Sequence, residues 1–392
     1  MTAMDHIRHL AERIGARGST TIKEAEAARY ADQVLRRAGL EPITETFTSA
    51  RSAWYPYALF SCLLVVSEIL FWTGGVWGAV AALGLALLSF LSVLLELAFH
   101  PNPLRWMLPK GKSQNVWVRL PPRNPTQEQV VLLGHLDTHR TPLVFSTDRW
   151  VRFFKRLVPL GLFSCIFMIA LFAVGIASAG WLWRFLSLPF ALVTLALLLF
   201  TLQAGFSPFT AGANDNATGA GIVLSLAERL KKEPLGNTTV WAVLSGCEEV
   251  GCYGADAFAQ AHQWELGHAA WIPLDSVGGL GAGPAYLTCE TFLFTTQSDP
   301  DLLALAKDIA TRLPELDAYA HSFRGAYTEG VIGRKHGFRV LTLVGHRRDG
   351  VLPEWHRPTD VVGNVDPKTV ERTEAFVWTL LKRIDQKAGK RV

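Results

Sequence analysis

The amino-acid sequence predicts an α/β fold: a mostly parallel central sheet with helices on both faces, interrupted by four transmembrane helices that form two inserted hairpins. Three observations predict it. Short apolar runs alternate with amphipathic helical patterns through the polar parts of the chain, as buried parallel strands and their covering helices do. Two long blocks are almost purely apolar, each with a short break in its middle. Acids and histidines recur directly after the apolar runs, where ligands bind beyond the carboxyl ends of strands in an open sheet.

Helical patterns occupy residues 4–15 and 22–38, the second closing on Gly39. "PITETFTS" (42–49) and "QNVWVRL" (114–120) have strand character, and "QVVLLG" (129–134) is a continuous apolar run. "ATGAGIVLSLAERLKK" (217–232) repeats its apolar positions at helical spacing. "TTVWAVLS" (238–245), "HAAWIPL" (268–274) and "FRVLTLVG" (338–345) read as further buried strands.

The first apolar block, 54–99, has arms broken by "TGGVW"; the second, 154–204, has arms broken by "GWLWR". Each arm is about long enough to cross a hydrocarbon core of roughly 30 Å as a helix. Trp54, Tyr55, Trp72, Trp77, Trp181 and Trp183 stand near the arm ends, where aromatic belts form. Glu68 and Glu96 are the acids within the arms. Because each block crosses twice, residues 1–53, 100–153 and 205–392 return to one side and can build a single discontinuous domain. The expectation is a multi-pass integral membrane protein of the bacterial inner-membrane type, with the lipid bilayer as a partner. Arg51, Arg105, Lys110, Lys112 and the basic run from Arg149 to Arg156 flank the arms on the soluble side, against only Arg184 at the opposite turns, which places the soluble domain in the cytoplasm.

The charge balance, 38 basic against 34 acidic residues spread along the chain, offers no dense cationic face, so no nucleic-acid partner is expected. No apolar signal segment opens the sequence. Outside the apolar blocks, Cys247, Cys252 and Cys289 lack a disulfide or zinc-ribbon pattern and are read as thiols.

The chemistry gathers after the strands. His135 and Asp137 follow one apolar run, Glu248 and Glu249 the next, Asp275 a third, and His356 comes through a loop from the fourth. Asp215 sits in the glycine-flanked "GANDNATGAG" that opens a helix. Two histidines and several carboxylates without a cysteine ligand suit zinc or a similar divalent metal, with enough groups for two ions sharing one carboxylate. Asp137, two residues beyond His135, faces the same way on a strand and can hold the second imidazole nitrogen. Successive residues leaving a strand point to opposite sides, so Glu248 and Glu249 are expected to divide their roles, one on metal and one on a proton; spacing does not say which.

"GHLDTH", "GANDNATGAG", "GCEEVGCYGA", "PLDSVGG" and "EWHRPTD", in this order, resemble the zinc-dependent exopeptidases that include bacterial leucyl aminopeptidase and vacuolar aminopeptidase Y. "GARGSTTIKEAEAARYADQVLRRAGLE" is similar to that family's opening helix region. The resemblance implies a phosphorylase/hydrolase-like zinc exopeptidase fold and two Zn²⁺ ions: His135 and Asp275 on one, Glu249 and His356 on the other, Asp215 bridging. It implies Glu248 as general base toward metal-activated water, with Asp137 beside it in the catalytic set. The implied function is a membrane-anchored dizinc aminopeptidase acting on short peptides. An inactive receptor or assembly factor on the same scaffold and a single-zinc glutaminyl cyclase are the competing implications. The sequence departs from the family where a Ser-Asp pair is common, here "YTEG" (327–330), at Trp355, where tyrosine is frequent, and in the two inserted hairpins. Arg324, Arg334, Lys335, Arg347 and Arg348 cluster in sequence near the expected pocket, where they would either bind a substrate carboxylate or form a solvated surface. His139, His321, His336 and His346 receive no role.

Overall fold

In the computed structural model, which describes residues 1–100, 102–178, 180–292 and 294–390, the chain forms two compact units. The first comprises Met1–Arg51, Lys110–Arg140 and Phe209–Val392; the second comprises Ser52–Pro109 and Thr141–Pro208.

Ten strands among the described residues of the first unit form one sheet: β1 (Ile43–Ala50), β2 (Lys110–Leu120), β3 (Glu128–His135), β4 (Thr238–Ser245), β5 (Ala270–Asp275), β6 (Ala285–Thr291), β7 (Thr295–Gln297), β8 (Tyr319–Arg324), β9 (Arg339–Val340) and β10 (Leu343–Val344). Their order is β1-β2-β4-β3-β5-β10-β6-β7, with β8 on β6 and β9 on β5. The expectation of a mostly parallel sheet is corrected: the sheet is mixed. β4, β3, β5 and β10 run parallel, whereas β1, β2 and β4 pair antiparallel, as do β10, β6 and β7. Covering helices join the central strands, and another lies between β7 and β8; β1 and β2 carry alternating polar residues and exposed positions, which antiparallel outer strands tolerate. The apolar run 338–345 is also divided, into β9 and β10, both on β5.

Alternation along the strands supplies two buried faces. Val116, Val118, Val130, Leu132, Val240, Ala242 and Ile272 pack in one core with α1 (Ala3–Arg8), α2 (Ile22–Arg37), α7 (Gly219–Lys232), α9 (Pro300–Arg312) and α11 (Pro367–Gly389). The intervening positions carry Trp117, Trp241 and Trp271. Trp117 packs on Trp241 at 5.1 Å between centroids, Trp241 meets Phe258 of α8 (Tyr253–Leu266), and Trp271 stacks on Phe338, which follows α10 (Gly330–Lys335). Both sheet faces are therefore covered, and the free edge of the parallel block is where its carboxyl ends emerge.

Among the described residues of the second unit, four helices are long and apolar enough to cross a membrane: α3 (Tyr55–Thr73), α4 (Gly75–Leu97), α5 (Asp148–Ala177) and α6 (Trp181–Phe206). Their polarity is inverted relative to the first unit. Ser61, Ser67, Ser89, Ser164, Ser187 and Thr194 are buried, while Leu91, Ile166, Leu192 and Leu199 are exposed. Small and hydroxyl residues at helix contacts, with large apolar residues outside, is the arrangement expected in lipid. Glu68 accepts from Trp72 Nε1 at 2.8 Å and from Ser187 Oγ at 2.6 Å, and Glu96 pairs with Arg105, so neither acid lacks a partner.

Candidate metal centre

The parallel block delivers its side chains to one edge. β3 ends on His135, β5 on Asp275, β4 leads into Glu248 and Glu249, and the loop after β10 reaches His356. Asp215 lies in the segment that precedes α7. β3 and the start of α7 approach so closely that a Cβ on Gly134 would stand 2.7 Å from the Ala220 nitrogen, which explains glycine before His135.

Two donor sets result, joined by Asp215. His135 Nε2 lies 3.5 Å from Asp215 Oδ1 and 4.0 Å from Asp275 Oδ1. His356 Nε2 lies 3.4 Å from Asp215 Oδ2 and 3.3 Å from Glu249 Oε2. Donor atoms around a tetrahedral zinc with bonds near 2.1 Å stand about 3.4 Å apart, so these separations suit ligands better than mutual hydrogen bonds. His135 Nε2 and Glu249 Oε1 are buried without a hydrogen-bond partner, which a bound cation would relieve. The residues present therefore fit zinc, and all five predicted ligands meet at one place. Glu248 Oε2 is 3.9 Å from His135 Nε2, and Glu248 Oε1 accepts from Cys252 Sγ at 3.3 Å.

One inference from strand alternation is corrected. Glu248 and Glu249 were expected on opposite sides, yet both bring a carboxylate oxygen close enough to His135 for the three residues to form one possible metal-holding set. The strand has ended at Ser245, and Cys247 takes a left-handed φ of 53°, so alternation no longer governs direction. The turn is held by acceptors from three distant segments. Asn115 Oδ1 takes the Gly246 amide at 3.1 Å, Glu24 Oε1 takes Cys247 at 2.9 Å, and Asp137 takes Glu248 at 3.0 Å and Glu249 at 3.2 Å. Asp137 thus does more than the sequence indicates. Its carbonyl, at 3.1 Å, is the nearer partner of His135 Nδ1, with the carboxylate at 3.5 Å, while that carboxylate anchors the glutamate turn and accepts from Ser19 Oγ at 2.6 Å.

The sequence alone does not mark the other supports. Asp360 accepts from the Asn214 and Asp215 amides at 2.6 and 3.0 Å, fixing the bridging residue, whose peptide bond to Asn216 is cis. Fully buried Arg17 donates to the carbonyls of Leu10, Gly15, Leu136, Ala211 and Gly212, tying the opening helix to both ligand loops. Glu329 of "YTEG" is buried and accepts from Ser245 Oγ at 2.5 Å. His139 stacks on His356. Asp360 lies inside "EWHRPTD" and Glu24 sits three residues after the helix-capping Thr21, so both were visible as residues but not as anchors. Of the sequence-clustered bases, Lys335 pairs with Asp256, Arg347 with Asp349 and Arg348 with Asp317, all partly exposed.

Burial dominates the electrostatics. It raises the carboxyls of Glu248 and Glu249 well above their usual range, aided by Asp275 for the former and Asp215 for the latter, and it lifts Asp275 and Glu329 to about 7. Burial also pushes His356 and His139 well below the normal imidazole value. For His135 burial acts downward too, but Asp137, Asp215 and Glu248 outweigh it and the value is raised well above normal. Carboxylates this concentrated, with so little compensating positive charge, call for cations.

The sequence profile of Peptidase family M28 matches residues 199–381. No curated protein matches the chain in sequence. Among solved structures, the chain resembles a leucine aminopeptidase precursor from Bacteroides thetaiotaomicron VPI-5482 with 13% identity over 97% of this chain and 96% of the other, at a TM-score of 0.58. A zinc aminopeptidase from Bacillus subtilis follows at 14% identity, 97% and 94% coverage and a TM-score of 0.57. A glutaminyl cyclase from Tannerella forsythia is as similar, at 14% identity, 97% coverage of each chain and a TM-score of 0.57. Residues 199–381 thus carry the pattern of Peptidase family M28, on a mixed α/β fold shared with zinc aminopeptidases and glutaminyl cyclases.

Proposed function

We propose that this protein is a membrane-anchored dizinc metallopeptidase that removes N-terminal residues from short peptides. The observation that carries the reading is the division of Asp215, whose Oδ1 faces His135 and whose Oδ2 faces His356. His135 and Asp275 would hold one ion, Glu249 and His356 the other, with Asp215 between them. Ions bound there supply Lewis acidity toward a peptide carbonyl and acidify water.

In this assignment Glu248, although its Oε2 lies as near His135 as Asp275 does, holds no ion and moves the proton. Its Oε1 is fixed by the Cys252 thiol, which leaves Oε2, beside His135, to accept a proton and return it to the leaving amine. Burial raises its carboxyl above the ordinary carboxylate range, the direction that strengthens it as a proton acceptor. Asp137 serves by holding the amides of both glutamates, and buried Glu329 adds negative charge near Glu248.

One alternative has support of its own. Glutaminyl cyclases share the fold, which keeps cyclisation of an N-terminal glutamine in view. An inactive scaffold is disfavoured because the five ligands and the base are all present. The deciding experiment assays the purified full-length protein on a panel of chromogenic aminoacyl amides and on a glutaminyl peptide, with and without a chelator. Chelator-sensitive release of the amine supports the aminopeptidase; pyroglutamate without hydrolysis supports the cyclase; neither product, with metal bound, supports the scaffold.

The four apolar helices support the anchor, and the basic residues flanking them support a cytoplasmic peptidase face. Reporter fusions at residue 75 and at the C-terminus test the orientation. Opposite locations for the two are expected, with the C-terminus inside the cell.

A further inference from the structure

His139 lies outside the five-ligand set, yet its ring lies parallel to that of His356, with centroids 3.6 Å apart and planes 16° from parallel. Its donor atom also falls within 4.8 Å of those of Glu249 and His356, so ligation is the competing reading. The geometry opposes it. Two imidazoles on one zinc, with Zn–N bonds near 2.1 Å and a tetrahedral angle, place their centroids about 5 Å apart, and their lone pairs converge rather than run side by side.

Other contacts fix the stack. His139 Nδ1 is 2.6 Å from the Arg140 carbonyl, an acceptor only, so Nδ1 carries the hydrogen and the ring cannot swing freely. The Thr210 amide donates to the His139 carbonyl at 3.0 Å, while Thr210 Oγ1 donates to the Arg357 carbonyl at 2.9 Å, next to His356. Thr210 therefore joins the backbones that carry the two rings. Meanwhile His356 has a φ of 53° and Glu354 a φ of 59°, left-handed values that are uncommon away from glycine. A ligand on so strained a turn depends on surrounding contacts for its direction.

We propose that His139 is a positioning residue, a stacked brace that sets the ring plane of His356 so that Nε2 meets Glu249 and Asp215 at the second metal. The proposal rests on the metal-centre reading above, and its test separates the two. His139→Phe keeps a flat ring against His356 without any nitrogen; His139→Ala removes the face. Zinc retention is measured by chelator competition on the full-length protein, with thermal unfolding as the check on folding. Displacing groups that orient a metal-bound histidine typically weakens metal binding 10- to 100-fold. We expect His139→Ala to lose zinc from one site about 10-fold more readily, and His139→Phe to stay within about 3-fold of the unaltered protein.

A second measurement needs no metal. In histidine-labelled, metal-free protein, the stacked ring shifts the His356 ring protons upfield; the shift should persist in His139→Phe and collapse in His139→Ala. If His139→Phe loses zinc as fully as His139→Ala, His139 is a ligand and the brace is wrong. It is also overturned if His139→Ala leaves zinc retention unchanged, or if the His356 signals do not move between variants. A protein that binds no zinc in any form would defeat the metallopeptidase reading, while the metal-free spectra would still decide the brace.

Discussion

Asp215 is the residue on which the site turns, because it faces both donor sets and receives its own amide support from Asp360. Asp215→Asn keeps the side-chain shape while removing its negative charge, and should reduce bound zinc from two ions to one or none by elemental analysis. Glu248 behaves differently, since it is not needed to hold metal in this account. Glu248→Gln should keep both ions and lose about 10²- to 10⁴-fold in kcat, the usual contribution of a positioned acid or base. Equal loss of zinc in this variant would instead make Glu248 a ligand, an arrangement that its approach to His135 also permits.

Among the elements, loops rather than strands set the geometry, and each is anchored by buried polar groups. Arg17 is the strongest case: of its five donated bonds, all to main-chain carbonyls, two hold the end of the opening helix and three reach the His135 and Asp215 loops. Arg17→Met should destabilise the protein by at least about 3 kcal/mol in chemical unfolding, because several buried carbonyls lose a charged donor at once. The central strands and the ligand motifs were legible in the sequence, since continuous apolar runs followed by acids admit few other readings. β6, β7 and β8 carry no long apolar run, β7 is three residues long and β8 is mostly half-exposed, so only their pairing identifies them. The antiparallel outer pairing was hidden for a similar reason, because strand direction depends on where the chain re-enters the sheet. The directions of Glu248 and Glu249 were misread by extending strand alternation past Ser245, where distant acceptors take over.

At the scale of the whole molecule, the first unit concentrates buried acid at one sheet edge. Glu24 and Asp360 are lifted to about 8, and Asp275 and Glu329 to about 7, chiefly by burial. Folded values raised above the ordinary 3.8 to 4.5 mean that the folded chain holds these protons more tightly than the unfolded one. Their stabilising contribution is full below about 4 and is lost as pH climbs through about 7 to about 8. The metal-free protein should therefore unfold at lower temperature near pH 8 than near pH 5.5, and zinc should raise the transition more at the higher pH, where carboxylates must otherwise lie ionised side by side. Glu24→Gln should flatten part of the metal-free slope. A metal-free transition that rises with pH over this range would contradict the account. The most direct test is anomalous diffraction at the zinc edge from crystals of the zinc-loaded protein. The account predicts two peaks about 3.5 to 4 Å apart with Asp215 between them, one beside His135 and Asp275 and the other beside Glu249 and His356. A single peak, or peaks away from Asp215, would contradict it.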